Sequence, residues 1–463
     1  MLNVNIAFTG VYDIDNFGDH LFPIVFKEAL KLRNINCNLI LFSPTNREVQ
    51  GFNQNNKVYS LYDIDKVHER YCFDAVIVGG GEVLHFHAFK HKMLDNEYST
   101  YPIYDVWTIP SIFCKEYGVP LLWNNPGAPF KFEGTYELLA KQLISNVDYI
   151  SVRNRFTYNS IKLLGIEDIN LSVDTAFYLP EIIKKKDLPK MIRKLNLEDN
   201  YIVFHCNRLI SDEYLNIAIN ELLLLNEQGY KIVLLPLAYT NGDDDFAKKI
   251  NSLASNKFII FEEELSIIEI IAILANTKLY IGVSFHGAIT SFVYGRKVIG
   301  FDFFSNKKTK DLFELIGLEN NYLNDANKLN IVIKNVLNNV NNYDEKYNEI
   351  IKILDNHFNH IEKVLVNKEV KSSENNKYSN FSKLLTYLSL DNQRFIEERT
   401  NLTNENNYNL LNWQKCSKEM VQIFNELENE KEKNRILQEI VDYYKPAMES
   451  RLVNRLIKIK KNK

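Results

Sequence analysis

A histidine at residue 286 lies in the segment best suited to chemistry, SFHGA at residues 284–288, between the apolar run LYIGV and a helical pattern. This order places an imidazole at the carboxyl end of a strand and at the start of a helix, where parallel α/β sheets bind ligands. The positive end of the helix dipole disfavours an imidazolium, and a neutral histidine acts as a base or accepts a hydrogen bond. A purely structural histidine is the alternative that the residues alone leave open.

Two further strand-to-turn segments carry polar or flexible residues. The segment NFGD at residues 16–19 follows the first apolar run, and Asp19 suits either a helix cap or a position in a cleft. The segment GGGE at residues 79–82 follows the apolar run VIV, and its glycines allow a ligand or a helix to approach the backbone closely. The triplet lacks the spacing of dinucleotide and P-loop fingerprints, so strand–helix packing explains it equally well.

Strand-like and helix-like patterns alternate over most of the chain, which predicts an α/β fold with parallel sheets and right-handed crossovers. We expect two Rossmann-like, doubly wound domains that face a cleft, followed by a helical C-terminal extension. The predicted boundaries are an N-terminal domain at 1–180 on the acceptor side, a charged connection at 181–199, a second domain at 200–330 on the donor side, a helical return and linker at 331–379, and the extension at 380–463.

Composition and charge exclude several classes of function. The net charge of -4 over 463 residues gives no electrostatic basis for binding nucleic acid. Five scattered cysteines without a CxxC pair argue against a disulfide framework and a zinc ribbon, and they favour a reducing compartment. No apolar run approaches the roughly 18 residues of a membrane span, and the N-terminus lacks the features of a signal peptide. We therefore expect a cytoplasmic protein.

Histidines and tryptophans elsewhere suggest weaker sites. His85, His87 and His91 lie close in sequence, but a metal site needs further ligands of suitable geometry, so we expect surface or cleft-lining histidines and no metal. Trp107 and Trp123 suit either a wall that stacks on sugars or the hydrophobic core, and the core is the more common place for aromatic residues in α/β proteins.

The order of the motifs resembles that of the polysaccharide pyruvyl transferase family. The motifs are NFGD at 16–19, the glycine triplet at 79–81, SVRN at 151–154 with LGI at 164–166, DTAF at 174–177, SFHGA at 284–288, and Lys308 within KTKDLFELIGL. The resemblance covers about residues 5–320 and rests on the order and spacing of motifs that are each weak alone. It implies a GT-B-like fold, phosphoenolpyruvate as the donor, and a pyruvate ketal on a cell-surface polysaccharide or its lipid-linked precursor.

The resemblance also implies roles for individual residues. His286 matches the family histidine and becomes the candidate general acid or base, with Asp19 and Glu82 as the second base or as groups that grip the acceptor hydroxyls. Arg208, at the end of YIVFHCNR, lies where the family tends to place an arginine that binds the donor. The remaining predictions are Arg153, Ser284, Gly287 and Lys308 for donor binding, and Asn16, Gly80 and Gly81 for acceptor binding.

Position 284 departs from the family pattern. Many members carry an arginine two residues before the histidine, and this chain has Ser284 there. The phosphate and the carboxylate of phosphoenolpyruvate need two cationic or N–H-rich sites, so one expected anion ligand is missing. Either Lys308, Arg153 or Arg296 compensates, or the donor is a different molecule. Apart from the phosphoenolpyruvate co-substrate, we expect no cofactor.

Two other functions fit the same fold, because a fold does not fix a function. The first is a GT-B glycosyltransferase with a nucleotide-sugar donor, whose ribose would be bound by the acidic run at 262–264. The second is a non-catalytic scaffold of a glycan-assembly complex, in which Ser284 marks an inactive site.

The C-terminal region predicts partners beyond the substrates. The segment RLVNRLIKIKKNK at 451–463 has six basic and no acidic residues, with apolar residues on one helical face. Such a helix suits an anionic membrane surface, here the inner face of the plasma membrane, and a solvated tail is the alternative. Apolar spacing within 380–463 is compatible with a short coiled coil, which would form a homo-oligomer.

Overall fold

The structure is a computed structural model that describes residues 2–46, 57–87, 89–90, 100–197, 200–302, 307–339 and 343–367. The chain divides after Asn376 into two units, and all of these residues belong to the first. The predicted extension at 380–463, its basic end and His91 lie outside the described residues.

Strands and helices alternate along the described chain, as the sequence predicts. The strands are β1 (Leu2–Thr9), β2 (Ile35–Ser43), β3 (Val58–Ser60), β4 (Ala75–Val78), β5 (Phe89–Lys90), β6 (Thr100–Tyr101), β7 (Leu121–Trp123), β8 (Ser151–Val152), β9 (Asn170–Leu171), β10 (Tyr201–His205), β11 (Lys231–Leu234), β12 (Leu279–Gly282), β13 (Lys297–Phe301) and β14 (Tyr322–Leu323). The helices are α1 (Phe17–Leu32), α2 (Ile64–Tyr71), α3 (Asp105–Tyr117), α4 (Thr135–Ile144), α5 (Arg155–Lys162), α6 (Leu179–Ile182), α7 (Pro189–Lys194), α8 (Asp212–Glu227), α9 (Asp243–Leu253), α10 (Ile267–Asn276), α11 (Phe285–Val293), α12 (Lys307–Leu315), α13 (Leu329–Asn338) and α14 (Asp344–Asn367).

Two five-stranded parallel sheets form the framework, in the orders β3-β2-β1-β4-β7 and β11-β10-β12-β13-β14. In the first sheet Ile6 lies opposite Leu39 on one side and Ala75 on the other. In each sheet the strand order reverses beside the strand that comes first in the chain, which is β1 or β10. This reversal is typical of a doubly wound sheet and places a crevice at the carboxyl ends of the strands. The predicted α/β fold with two doubly wound sheets is confirmed.

The central strands are apolar because both faces of each sheet are covered. Every residue of β4, β10 and β12 is buried, as expected for parallel strands that lie between layers of helices. Serine caps begin several of the covering helices. At α10, Ser266 and Glu269 form a reciprocal capping box, which satisfies backbone N–H groups at both positions.

Helix α14 returns the chain from the second sheet to the first. Arg33 forms an ion pair of 2.9 Å with Asp355 on this helix. His357, which is fully buried, contacts the hydroxyl of Tyr149 and the amide oxygen of Asn124, each at 3.1 Å. Burial lowers the pKa of His357 to about 3, so the imidazole stays neutral and the helix stays docked without a buried charge.

Trp107 and Trp123 belong to the core. Trp107 and Trp123 are 1% and 0% exposed, so neither forms a wall that could stack on a sugar. Aromatic neighbours account for the position of Trp107, which packs against Phe86 and Phe132. Among the described helices, none is both long and apolar enough to span a membrane.

Candidate active site

Six ionisable side chains meet near the carboxyl ends of the strands. Each follows a strand, so the topology of the sheets brings together residues that are far apart in sequence. They are Asp19 in the first turn of α1, Glu82 after β4, Arg153 after β8, Asp174 after β9, His286 in the first turn of α11 and Lys308 in the first turn of α12. We call these residues the charged cluster.

Asp174 lies at the centre of the charged cluster and is almost entirely buried. Its Oδ2 atom lies 2.8 Å from the guanidinium of Arg153 and 3.4 Å from Nε2 of His286. Burial by itself raises the pKa of the Asp174 carboxyl, but the two neighbours hold it well below its usual range. Its second oxygen accepts from the backbone N–H of Ala176 at 2.9 Å, which fixes the carboxylate in place.

A second carboxylate, Glu82, joins the two sheets. It follows β4 of the first sheet, accepts a hydrogen bond of 3.1 Å from Lys308, which follows the second sheet, and lies 3.9 Å from Arg153, which follows β8. Burial opposes ionisation of Glu82, yet Lys308 and Arg153 outweigh it and lower the pKa. Glu82 is therefore ionised in the neutral range, and it occupies both cations of the cluster.

Asp19 behaves differently from the other two carboxylates. It retains some exposure, but the protein packed around its carboxyl raises the pKa to about 6, against the opposing effects of His286, Arg153 and Lys308. A carboxyl with this pKa exchanges its proton near neutral pH. Carboxyl groups whose pKa values are separated by their surroundings are typical of acid–base sites.

The imidazole of His286 is held between the sheets by close packing. A Cβ atom at Gly18 would lie 1.9 Å from Nδ1 of His286, so only glycine permits this approach. The ring of Phe22 meets the imidazole edge-on at a centroid distance of 5.4 Å. Only 14% of the His286 side chain is exposed. Helix α1 of the first sheet and helix α11 of the second are therefore in direct contact at the site.

Asp174 is a neighbour of His286 that the sequence did not indicate. The helix dipole at the start of α11 disfavours an imidazolium, and the sequence interpretation relied on that effect alone. The structure adds a buried carboxylate, whose Oδ2 atom lies 3.4 Å from Nε2 of the ring. The sequence pattern DTAF marked this aspartate as part of a motif, but nothing in the pattern indicated that it contacts the histidine.

Several predicted binding residues have structural duties. The hydroxyl of Ser284 accepts from the N–H of Gly287 and caps α11, and the side chain of Asn16 caps α1 by accepting from the N–H of Gly18. Gly80 packs against the ring of Phe22, since a Cβ atom there would lie 2.3 Å from the ring. None of these contacts tests whether the residues bind a substrate, so their binding roles stay predictions.

The remaining predicted site residues are Gly81 and the arginines. Gly81 has a φ of +100°, and a Cβ atom there would lie 3.4 Å from the carboxylate of Asp19. Arg296 donates to the carbonyl of Ala275 at 2.5 Å, whereas Arg153 lies in the charged cluster. Arg208 is exposed just after β10 and pairs with no acidic group among the described residues. The structure thus groups Arg153 and Lys308 around His286.

The histidines near residue 85 show no metal site. Within the described residues, no group of three or more histidine, cysteine, aspartate or glutamate side chains is arranged to hold a metal ion. His85 is buried, and burial lowers its pKa to about 4. His87 lies against the ring of Phe130 at 4.8 Å.

A sequence model of the polysaccharide pyruvyl transferase family matches residues 16–306. This range includes five members of the charged cluster and stops just before Lys308. No curated protein sequence matches the chain.

Solved structures resemble the chain in fold. The UDP-GlcNAc 2-epimerase from Methanocaldococcus jannaschii has a TM-score of 0.51 at 14% identity, covering 76% of this chain and 99% of its own. A UDP-N-acetylglucosamine 2-epimerase from Rickettsia bellii has a TM-score of 0.47 at 13% identity, covering 78% of this chain and 98% of its own. A glycosyltransferase from Rickettsia africae has a TM-score of 0.46 at 12% identity, covering 76% and 94%. The first likeness shows that the fold is GT-B-like.

The contact between Gly18 and His286 can be tested by a double-mutant cycle. Gly18→Ala should lower the melting temperature by several degrees, because the new methyl group meets the imidazole. In a His286→Ala background the same change should be neutral or stabilising, since alanine is favoured over glycine in a helix by about 1 kcal/mol. Equal destabilisation in both backgrounds would contradict the contact.

The raised pKa of Asp19 predicts a pH-dependent gain in stability for Asp19→Asn. The folded pKa of about 6 exceeds the unfolded value of about 4. The folded protein therefore binds this proton more tightly, and wild-type stability falls relative to the variant as the pH rises from 4 through 6. Chemical denaturation at pH 8 should show Asp19→Asn more stable by up to ~2 kcal/mol, with the difference closing near pH 4. The exposed Asp65→Asn serves as control and should show no such trend.

Proposed function

The chain belongs to the polysaccharide pyruvyl transferase family, and on that premise we propose that it transfers a pyruvyl group from phosphoenolpyruvate to two hydroxyls of one sugar, forming a ketal. The observation that carries the proposal is the pairing in one cleft of Asp19, with a pKa of about 6, and His286, next to two cations. The acceptor is a sugar of a cell-surface polysaccharide or of its lipid-linked precursor, an assignment that follows from the family alone.

In this proposal the cations of the charged cluster, Arg153 and Lys308, bind the donor. Arg153 presents a planar guanidinium that suits a carboxylate or phosphate, and Lys308 presents a point charge. Both cations already contact Glu82, at 3.9 and 3.1 Å respectively. A bound phosphoenolpyruvate therefore exchanges places with the Glu82 carboxylate at one cation or both. Arg208, exposed after β10, remains a candidate for a further contact with the donor.

The acid–base assignment follows from the three carboxylates. Glu82 and Asp174 have lowered pKa values and remain ionised, so neither is suited to deliver a proton near neutral pH. Asp19, with a pKa of about 6, is the one of the three carboxyls that gains and loses a proton close to this range. His286 is the second group, and Asp174 stabilises its charged form after it has accepted a proton.

The transfer balances with these two groups. Asp19 gives its proton to C3 of phosphoenolpyruvate while the first sugar hydroxyl attacks C2 and loses its proton to His286. The bond between C2 and the bridging phosphate oxygen then breaks, and inorganic phosphate leaves with the proton held by His286. The second hydroxyl attacks C2 and returns a proton to Asp19. One methyl group, two new C–O bonds and one phosphate result, and both side chains regain their starting state.

Donor identity can be tested by calorimetric titration of the full chain with phosphoenolpyruvate and, separately, with a panel of nucleotide sugars. Phosphoenolpyruvate should bind, and Lys308→Ala should weaken it by about tenfold through loss of a charge-assisted contact. Arg208→Ala tests in the same way whether Arg208 contacts the donor. Lys310→Ala is the matched control, since Lys310 lies on the same helix, is 61% exposed and pairs with Glu314. Binding of a nucleotide sugar alone would refute the proposed donor.

The exchange of Glu82 predicts a gain of binding. Glu82→Gln removes the anion that competes for Lys308 and Arg153, so inorganic phosphate should bind several-fold more tightly. Product formation should fall if the carboxylate also grips an acceptor hydroxyl. Glu314→Gln, which removes a negative charge on the same helix as Lys308, is the control for a general charge effect. Weaker phosphate binding in Glu82→Gln would show that Glu82 supports the donor site and does not compete with the donor.

A further inference from the structure

A second buried histidine–aspartate pair lies outside the charged cluster. His205 ends β10 and Asp243 begins α9, and they are 6% and 5% exposed. Nε2 of His205 lies 2.9 Å from Oδ2 of Asp243. The chemistry proposed above uses neither residue, yet His205 is the last residue of β10 and Asp243 begins the helix that follows β11, both in the second sheet.

Asp243 also holds the backbone that follows β11. Its Oδ2 atom accepts from the backbone N–H groups of Leu237 at 3.2 Å and Ala238 at 2.8 Å, in addition to the contact with His205. Three donors thus converge on one buried oxygen. Removal of that oxygen would leave buried N–H groups without a partner, which is costly. Asp243 therefore fixes the conformation of residues 235–240, which we call the docking loop.

The docking loop contacts the chain at the start of α1. The carbonyl of Leu237 accepts from the N–H of Phe17 at 2.8 Å. Ala238 forms an antiparallel bridge with Asn16. The same two loop residues are thus bound to Asp243 on one side and to the start of α1 on the other.

A third contact leads from the docking loop to the charged cluster. The hydroxyl of Thr240 accepts from the N–H of Asp15 at 2.8 Å. The next residue, Asn16, caps α1 by accepting from the N–H of Gly18, and Gly18 lies against the imidazole of His286. The path from Asp243 to His286 therefore runs entirely through direct contacts.

We propose that Asp243, oriented by His205, is a positioning residue that holds the docking loop against the start of α1 and so sets the placement of Asp19 against His286 across the two sheets. The pair couples the second sheet to a helix of the first at the point where the acid and the base must meet. The consequence for catalysis rests on the proposed function, whereas the geometric consequence holds without it.

Thermal melting of the full chain tests the geometry without an activity assay. Gly18→Ala lowers the melting temperature of the parent protein if α1 is held against His286. In an Asp243→Ala background the start of α1 is free to shift. Gly18→Ala should then lower the melting temperature by less than half as many degrees as it does in the parent protein. In an Asp243→Asn background Gly18→Ala should lower the melting temperature almost as much as in the parent protein, because an amide oxygen still accepts from the N–H groups of Leu237 and Ala238.

Asn251→Ala provides the matched control. Asn251 lies on the same helix as Asp243 and is 7% exposed, and its side chain accepts from the N–H of Phe258 within the second sheet domain. Its removal destabilises the same helix without touching the docking loop. Gly18→Ala should therefore retain its full cost in this background.

Two results would overturn the proposal: an unchanged cost of Gly18→Ala in Asp243→Ala, or no cost of Gly18→Ala in the parent. Should Asp243→Ala fail to fold, Thr240→Val removes one contact of the docking loop and should reduce the cost in the same direction, with an unchanged cost again decisive against the proposal. Once transfer is measured, Asp243→Ala should lower kcat by more than it raises KM for phosphoenolpyruvate. Failure of the donor to bind any variant would refute the proposed function and leave the melting result intact.

Discussion

The buried carboxylate of Asp174 is the interaction on which the rest of the site depends. It contacts Arg153, which follows β8, and His286, which begins α11 after the second sheet, at 2.8 and 3.4 Å. A carboxylate this far from water is tolerated because two positively polarised partners and the backbone N–H of Ala176 surround it. Removing Arg153 would leave an uncompensated buried charge, which typically costs about 3–5 kcal/mol. The two halves of the cleft are therefore joined by a requirement of charge balance as well as by packing.

The same balance separates the properties of the remaining carboxylates. Glu82 stands between Lys308 and Arg153 and is held ionised, whereas Asp19 is enclosed with less compensation and keeps a proton up to a pH of about 6. One low-dielectric cleft thus contains an anion that occupies the cations and an acid that titrates near neutral pH. This difference in environment, and not in residue type, gives the proposed reaction both a donor site and a proton source.

The scaffold leaves the chemistry open. A UDP-GlcNAc 2-epimerase shares the fold at 14% identity, and at that distance the likeness concerns only the arrangement of sheets and helices. What distinguishes this chain is the set of side chains at the strand ends and the contacts that position them. Leu237 and Ala238 bind the backbone at the start of α1, and Gly18 allows this part of the helix to pack against His286. Small changes in these contacts would alter the distance between acid and base more than they would alter the fold.

The sequence by itself determined the fold class, because buried parallel strands are uninterrupted apolar runs and glycine turns mark their ends, as at β4 and β12. Chemistry in such sheets lies at strand ends, which singled out His286, Asp19 and Glu82, whereas the family resemblance singled out Arg153 and Lys308. The sequence placed Trp107 and Trp123 only ambiguously, and packing assigned them to the core. The pairing of Asp174 with His286, the use of Ser284 and Asn16 as caps, and the elevated pKa of Asp19 were decided by the tertiary structure alone. The physical reason is that the contact of Asp174 with His286 and the surroundings of Asp19 depend on distance and burial between segments more than 100 residues apart, and local sequence patterns carry no information about either. The two caps are local contacts, but a serine or an asparagine at a strand end is equally compatible with capping a helix and with binding a ligand.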